Sequence, residues 1–104
     1  MEISVLDYAA HWLDEGRKVA LATVVETWGS APQPVGSQLV VDEAGNFMGA
    51  VSGGCVEASV ITEAADVLIS GTPKMLDFGV TDEKAWQAGL ACGGRIRIYV
   101  EALA

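Results

Sequence analysis

Apolar side chains at Val5, Leu6, Ala9, Trp12 and Leu13 recur at i, i+1, i+4, i+7 and i+8, which predicts a helix over residues 4–15. Ser4 is placed to cap it with Asp7 three positions on, and Gly16 suits the turn that ends it. The period then changes. Residues 19–27 (VALATVVET) form a short, apolar, partly β-branched run, as a buried strand does. Two prolines among residues 28–36 cannot continue a ladder, so that stretch is read as a loop. Residues 38–42 and 46–51 look like the arms of a hairpin around Glu43, Ala44 and Gly45. A second helix is expected to about Ser70, buried through Val56, Val60, Ile61, Ala64, Val67 and Leu68 and ended by Gly71 and Pro73. Residues 74–80 read as a strand and 82–90 as a short helical turn. Residues 95–101 alternate, with Ile96, Ile98 and Val100 inward.

The order α-β-β-β-α-β-α-β predicts an α+β (α/β layered) fold: a mixed β-sheet of about five strands with two main helices packed on it. No linker, low-complexity tract or repeat interrupts the chain, so residues 1–104 are expected to form a single domain. Hydrophobic residues make up 51% of the sequence, enough for a core without disulfide staples. Fourteen acidic residues face six Lys and Arg, for a net charge of -8. An acidic chain lacks the electrostatic footprint of a nucleic-acid binder. No apolar run reaches the ~20 residues of a membrane span, and the acidic, amphipathic N-terminus does not resemble a secretory signal. A cytoplasmic protein with no nucleic-acid or membrane partner is the expectation. Cys55, Cys92 and the single His11 lack the spacing of a conventional zinc site.

The candidate chemistry lies in the glycines. Gly29 to Gly36, Gly53–Gly54 and Gly93–Gly94 mark three loops, and successive glycines let backbone N–H groups converge on an anion. Gly53, Gly54 and Cys55 fall at a strand-to-helix junction, where helix N–H groups favour negative charge and a cysteine has a lowered pKa. Cys92 precedes the other doublet, so the two elements are placed to meet at one sheet edge. Turn geometry and a small buried thiol are the plainer alternative. Glu57 either favours the helix start or accepts a hydrogen bond from a ligand, and Trp28 is a candidate pocket wall. Trp12 and Trp86 read as core, and His11 carries no expected chemistry. Neither a Walker A loop nor a GxGxxG fingerprint is present.

The run Gly29-Ser-Ala-Pro-Gln-Pro-Val-Gly36, then Gly49-Ala-Val-Ser-Gly-Gly-Cys-Val-Glu57, then Gly89-Leu-Ala-Cys-Gly-Gly94 resembles the N-terminal domain of the XdhC/CoxI family, the accessory proteins of xanthine dehydrogenase and related molybdenum hydroxylases. The resemblance spans nearly the whole chain. It implies a non-catalytic maturation chaperone that binds the molybdenum cofactor (molybdopterin or its nucleotide form), protects it for sulfuration by a cysteine desulfurase, and passes it to the hydroxylase. The implied cofactor-binding residues are Gly29, Ser30, Gly36, Ser52, Gly53, Gly54, Cys55, Glu57, Cys92, Gly93 and Gly94, with Cys55 next to the metal. The family commonly has basic residues where this chain has Gln33 and Gln38, so positive charge would have to come from Arg95 or Arg97. Family members usually carry a Rossmann-like domain after this one, which implies a separate Rossmann-domain partner or a homodimer. Two other readings compete. In one, Cys55 is the nucleophile of a thiol-based sulfur carrier. In the other, the chain is a ligand-free module that docks a hydroxylase or a Rossmann-domain protein.

Overall fold

The computed structural model describes residues 4–28, 33–51, 56–78 and 95–103. Its elements run α1 (Val5–Asp14), β1 (Val19–Trp28), β2 (Gln38–Asp42), β3 (Phe47–Gly49), α2 (Glu57–Ser70), β4 (Lys74–Phe78) and β5 (Arg95–Leu103). The strands form one sheet in the order β3-β2-β1-β5-β4. The expected α+β class holds. The sheet itself, however, is antiparallel at every pairing rather than mixed. Its chain connections are hairpins or pass through α2 to the far edge, and none joins parallel neighbours. The expected helical turn at residues 82–90 and the end of the strand at 79–80 lie outside the described residues.

The strand alternation sorts the core into two layers. Ala20, Ala22 and Val24 of β1 join Leu39, Val41, Ile96, Ile98 and Val100 beneath α2, which contributes Val60, Ala64 and Val67. Ile61 and Leu68 pack at its margin. Each fully buried valine of this layer contributes about 1.5–3 kcal/mol over the exposed state. Val19, Leu21 and Val40 point the other way and meet Ala9 and Trp12 of α1.

Helix α1 begins with the expected capping box. The Asp7 N–H donates to Ser4 Oγ at 3.2 Å, and the Ser4 N–H donates to Asp7 Oδ2 at 3.1 Å. One expected core position is corrected: Leu6 is 52% exposed, and Tyr8 takes its place, edge-on to Trp12 at 6.3 Å. A helix rotated by one position satisfies the apolar spacing nearly as well, so the spacing leaves that choice to packing. Trp12 is buried as expected, and Trp86 lies outside the described residues.

Register assigns each connection to an end of the sheet. Val19 pairs with both Asp42 and Leu103, so the β2–β3 turn and the α1–β1 turn share one end. Trp28 pairs with Arg95, Phe78 with Ile96 and Leu39 with Gly49 at the other end. The chain therefore leaves β1, β3 and β4 from that second end, and enters β2 and β5 there too.

Candidate functional site

The glycine-rich stretches of the sequence are those three departures. Residues 29–37 follow β1, 50–56 follow β3, and 79–94 follow β4. Of the expected site residues, Gly36 and Glu57 are described. Gly29, Ser30, Ser52, Gly53, Gly54, Cys55, Cys92, Gly93 and Gly94 lie outside the described residues, including the expected metal neighbour Cys55. What can be built is the frame that holds them.

The flanks of residues 52–55 are tightly held. Val51 and Val56 are fully buried, and the Val51 N–H donates to Glu57 Oε2 at 2.9 Å. Glu57 is 7% exposed, so this hydrogen bond ties the end of one flank to the first turn of α2 in a shielded setting. The carboxylate thus closes the loop's base, a role the sequence left open between helix dipole and ligand acceptor. Upstream, the Ala50 N–H reaches the Gln38 carbonyl at 3.2 Å. Gly49 has φ +99°, and a Cβ there would strike the Gln38 carbonyl oxygen and lie 2.7 Å from Val5 Cγ2. Only glycine fits between β2 and α1 in that backbone conformation.

Gly36 also has a left-handed φ of +96°. Its N–H donates to the Val24 carbonyl at 2.8 Å, and the Val24 N–H donates to the Ser37 carbonyl at 2.9 Å. Its amide is engaged in returning the chain onto β1. Gln38 Nε2 lies 3.3 Å from Thr23 Oγ1, a side-chain bond along the same seam.

The sequence did not reveal how Trp28 meets the arginines. Pairing between β1 and β5 shifts between Val24 and Glu26. This bulge reverses the alternation, so Glu26 and Trp28 turn away from α2 and share a face with Arg97 and Arg95. Arg95 Cζ then sits 4.4 Å from the centroid of the Trp28 ring, and Arg97 Cζ sits 5.6 Å from it. Arg97 is held on two sides: Nε donates to Asp77 Oδ1 and Nη1 to Glu26 Oε1, each at 2.9 Å. These contacts, Asp77 foremost, raise its pKa further. Arg95 Nη2 lies 3.8 Å from Asp77 Oδ1, too far for a hydrogen bond, and Arg95 Nε is buried without a partner among the described residues. The available sequence signal was an arginine alternation on β5 beside a tryptophan that opens a glycine loop.

His11 is exposed, 3.8 Å from Glu15. Among the described residues no three His, Cys, Asp or Glu side chains gather as a metal site, and no helix is long and apolar enough to cross a membrane.

A helix–sheet–helix arrangement whose glycine-rich connections leave the strands from one sheet end is the class these features define. The chain belongs to the XdhC and CoxI family, whose sequence profile matches residues 12–79. It is 38% identical over 101 residues to the molybdenum cofactor insertion chaperone PaoD of Escherichia coli, covering 96% of this chain and 31% of that protein. It is 33% identical over 94 residues to a probable xanthine dehydrogenase subunit of Bacillus subtilis, covering 88% of this chain and 28% of the relative. The chain therefore spans about a third of the length of these relatives. Its fold matches a xanthine dehydrogenase crystal structure from Bacillus halodurans with a TM-score of 0.80 at 23% identity, over 98% of this chain and 31% of the other.

Proposed function

We propose that this chain handles the molybdenum cofactor as cargo, holding it at the loop end of the sheet for delivery to a hydroxylase of the xanthine dehydrogenase type. One observation carries the reading: the three glycine-rich connections of a chain related to a cofactor insertion chaperone all leave the same end of the sheet. Backbone N–H groups of Gly53, Gly54, Gly93 and Gly94 would receive the anionic parts of the cargo, with hydroxyls of Ser30 and Ser52 and the amide of Gly29 beside them. Cys55, with Cys92 as a second thiol, would face the soft metal–sulfur end. Glu57 would act indirectly: by accepting from the Val51 N–H it ties Val51 to the first turn of α2, on either side of residues 52–55.

Protection of the cargo during sulfuration, with a cysteine desulfurase and a hydroxylase as partners and the cytoplasm as the location, belongs to the same proposal. So does completion of the site by a Rossmann-domain protein or a second copy of the chain. The charge balance of -8 suits docking on a basic surface of such partners.

The test is retention. Protein mixed with cofactor released from a molybdenum hydroxylase is passed over a desalting column, and molybdenum and pterin fluorescence are read in the protein fraction. Co-elution is expected for the wild type and a several-fold loss for Cys55→Ala. Cofactor that separates completely from folded wild-type protein defeats the reading. Loading of sulfur onto Cys55 by a desulfurase with no pterin present would replace it with the sulfur-carrier alternative.

A further inference from the structure

The loop-end half of the α1 face of the sheet carries a cluster that the fold does not consume. Trp28, Arg95, Arg97, Glu26 and Asp77 share it, brought into register by the bulge in β1. Charge pairing within the cluster is uneven. Arg97 has a carboxylate on each side, Asp77 and Glu26, both at hydrogen-bond distance. Arg95 has only the more distant Asp77 oxygen and donates no hydrogen bond among the described residues. A guanidinium carries five N–H donors, and the buried one, Nε, is costly to leave without an acceptor. Trp28 accounts for one aspect only: Arg95 Cζ lies over its ring, 4.4 Å from the centroid, a cation–π contact in which the ring accepts no in-plane hydrogen bond. The side chain of Arg95 remains 36% exposed, so an incoming oxyanion can reach its free edge.

Trp28 and Arg95 are the last residue of β1 and the first of β5, paired across the strands. They therefore stand where one glycine-rich connection leaves the sheet and another re-enters it. There is no Lys or Arg between Lys18 and Lys74, and both of those are remote, Lys18 at the turn end and Lys74 bound to Glu63 and Asp66. Among the described residues, Arg95 is the cation at this end whose side chain makes no hydrogen bond.

We propose that Arg95, held against Trp28, is the docking point for a phosphate-type oxyanion at the loop end of the sheet. Arg97 is a positioning residue that draws Asp77 and Glu26 to itself and so keeps their charge from filling the Arg95 fork. Insofar as the oxyanion belongs to the cargo's phosphate, the inference rests on the cofactor reading. The anion site itself does not.

The experiment uses inorganic pyrophosphate at low ionic strength, with binding read by calorimetry and by the change in tryptophan emission. Wild type, Arg95→Gln, Trp28→Leu and the charge-matched control Lys18→Gln are compared, with circular dichroism confirming that each is folded. Saturable binding by the wild type is expected. Affinity should fall about tenfold or more in Arg95→Gln, in line with loss of a charge-assisted bidentate contact, and should be unchanged in Lys18→Gln. Absence of binding by the wild type, or equal binding by Arg95→Gln, overturns the proposal. So does an equal loss in Lys18→Gln, which would mean that net charge alone is sensed. A second arm repeats the cofactor retention assay with Arg95→Gln. Retention equal to the wild type removes Arg95 from the cargo site while the cofactor reading stands. Pyrophosphate binding through Arg95 without cofactor retention by the wild type keeps the anion site and removes that reading.

Discussion

Left-handed glycines turn the chain at both ends of the sheet, Gly16 and Gly45 at one and Gly36 and Gly49 at the other, but the ends differ in how their charged groups are used. At the turn end, acidic side chains close the backbone. Asp42 accepts from the Ala44 and Asn46 N–H groups at 2.9 and 2.8 Å, from Asn46 Nδ2 at 2.9 Å and from Arg17 Nη1 at 3.1 Å. Glu43 accepts from the Lys18 N–H at 3.2 Å. Each of these carboxylates is engaged by the fold itself. At the loop end the described chain closes itself with glycine geometry at Gly36 and Gly49 and with one buried carboxylate, Glu57. Cationic donors are left over. The difference teaches where to look for function: at the end whose polar groups exceed what the backbone requires.

The largest effect is expected at Gly49. Gly49→Ala combines a strained positive φ with a collision against the Gln38 carbonyl, which cannot retreat without breaking the β2–β3 pairing. A loss on the order of 3 kcal/mol is expected in urea unfolding. A loss below about 1 kcal/mol would show that the loop end is more plastic than the turn end, reversing the comparison.

Glu57→Ala follows. It leaves the Val51 N–H buried and unpaired, at a cost of about 1–3 kcal/mol, whereas Glu57→Gln keeps an acceptor oxygen and should cost much less. Equal losses in the two variants, measured by the same unfolding curves, would mean that the charge rather than the hydrogen bond closes the loop base.

At the turn end the corresponding test is pH. Burial pushes the Asp42 carboxyl up, but hydrogen bonds from Asn46 and Ala44 and the charge of Arg17 outweigh it and hold the pKa below 3.8. The folded state thus binds the proton more weakly than the unfolded chain. Asp42's contribution is complete above the unfolded value, about 4, and disappears as pH falls through the folded one. Wild type should lose stability more steeply than Asp42→Asn below about pH 4, and the two should run parallel above about pH 5. Parallel curves throughout would show that the Asp42 turn is held by shape alone.

Much of this contrast was legible in the sequence. The bounds of β2, the Ser4 cap, the αL glycine after α2 and the inward residues of β5 each rest on a local rule, and each appears in the structure. That the glycine-rich connections leave one sheet end was legible only as a possibility, because strand order depends on long-range pairing that no local pattern encodes. The face of Trp28 was not legible at all. Simple alternation from Val24 puts residue 28 under α2, and one bulged residue places it beside Arg95 instead. Bulges carry little sequence signature, so the cluster that the fold leaves unfilled is also the one that pattern reading misses.

The smallest effect sharpens the comparison from outside the sheet. The first turn of α1 lies at the loop end, where Val5 borders Gly49, so Ser4→Ala tests whether the helix or the backbone holds that end. Removing the cap leaves the Asp7 N–H only the Ser4 carbonyl, at 3.1 Å, and should cost about 1 kcal/mol, while Ser4→Asp, which caps equally well, should restore it. The helix is exposed along Leu6 and Ala10, and its grip comes from Ala9 and Trp12 further along, over Val19, Leu21 and Val40. Fraying at Ser4 therefore need not reach the packed turn. If Ser4→Ala instead costs as much as Gly49→Ala, the contact between Val5 and the β3 glycine transmits the loss, and the loop end is held by α1 rather than by its own strands.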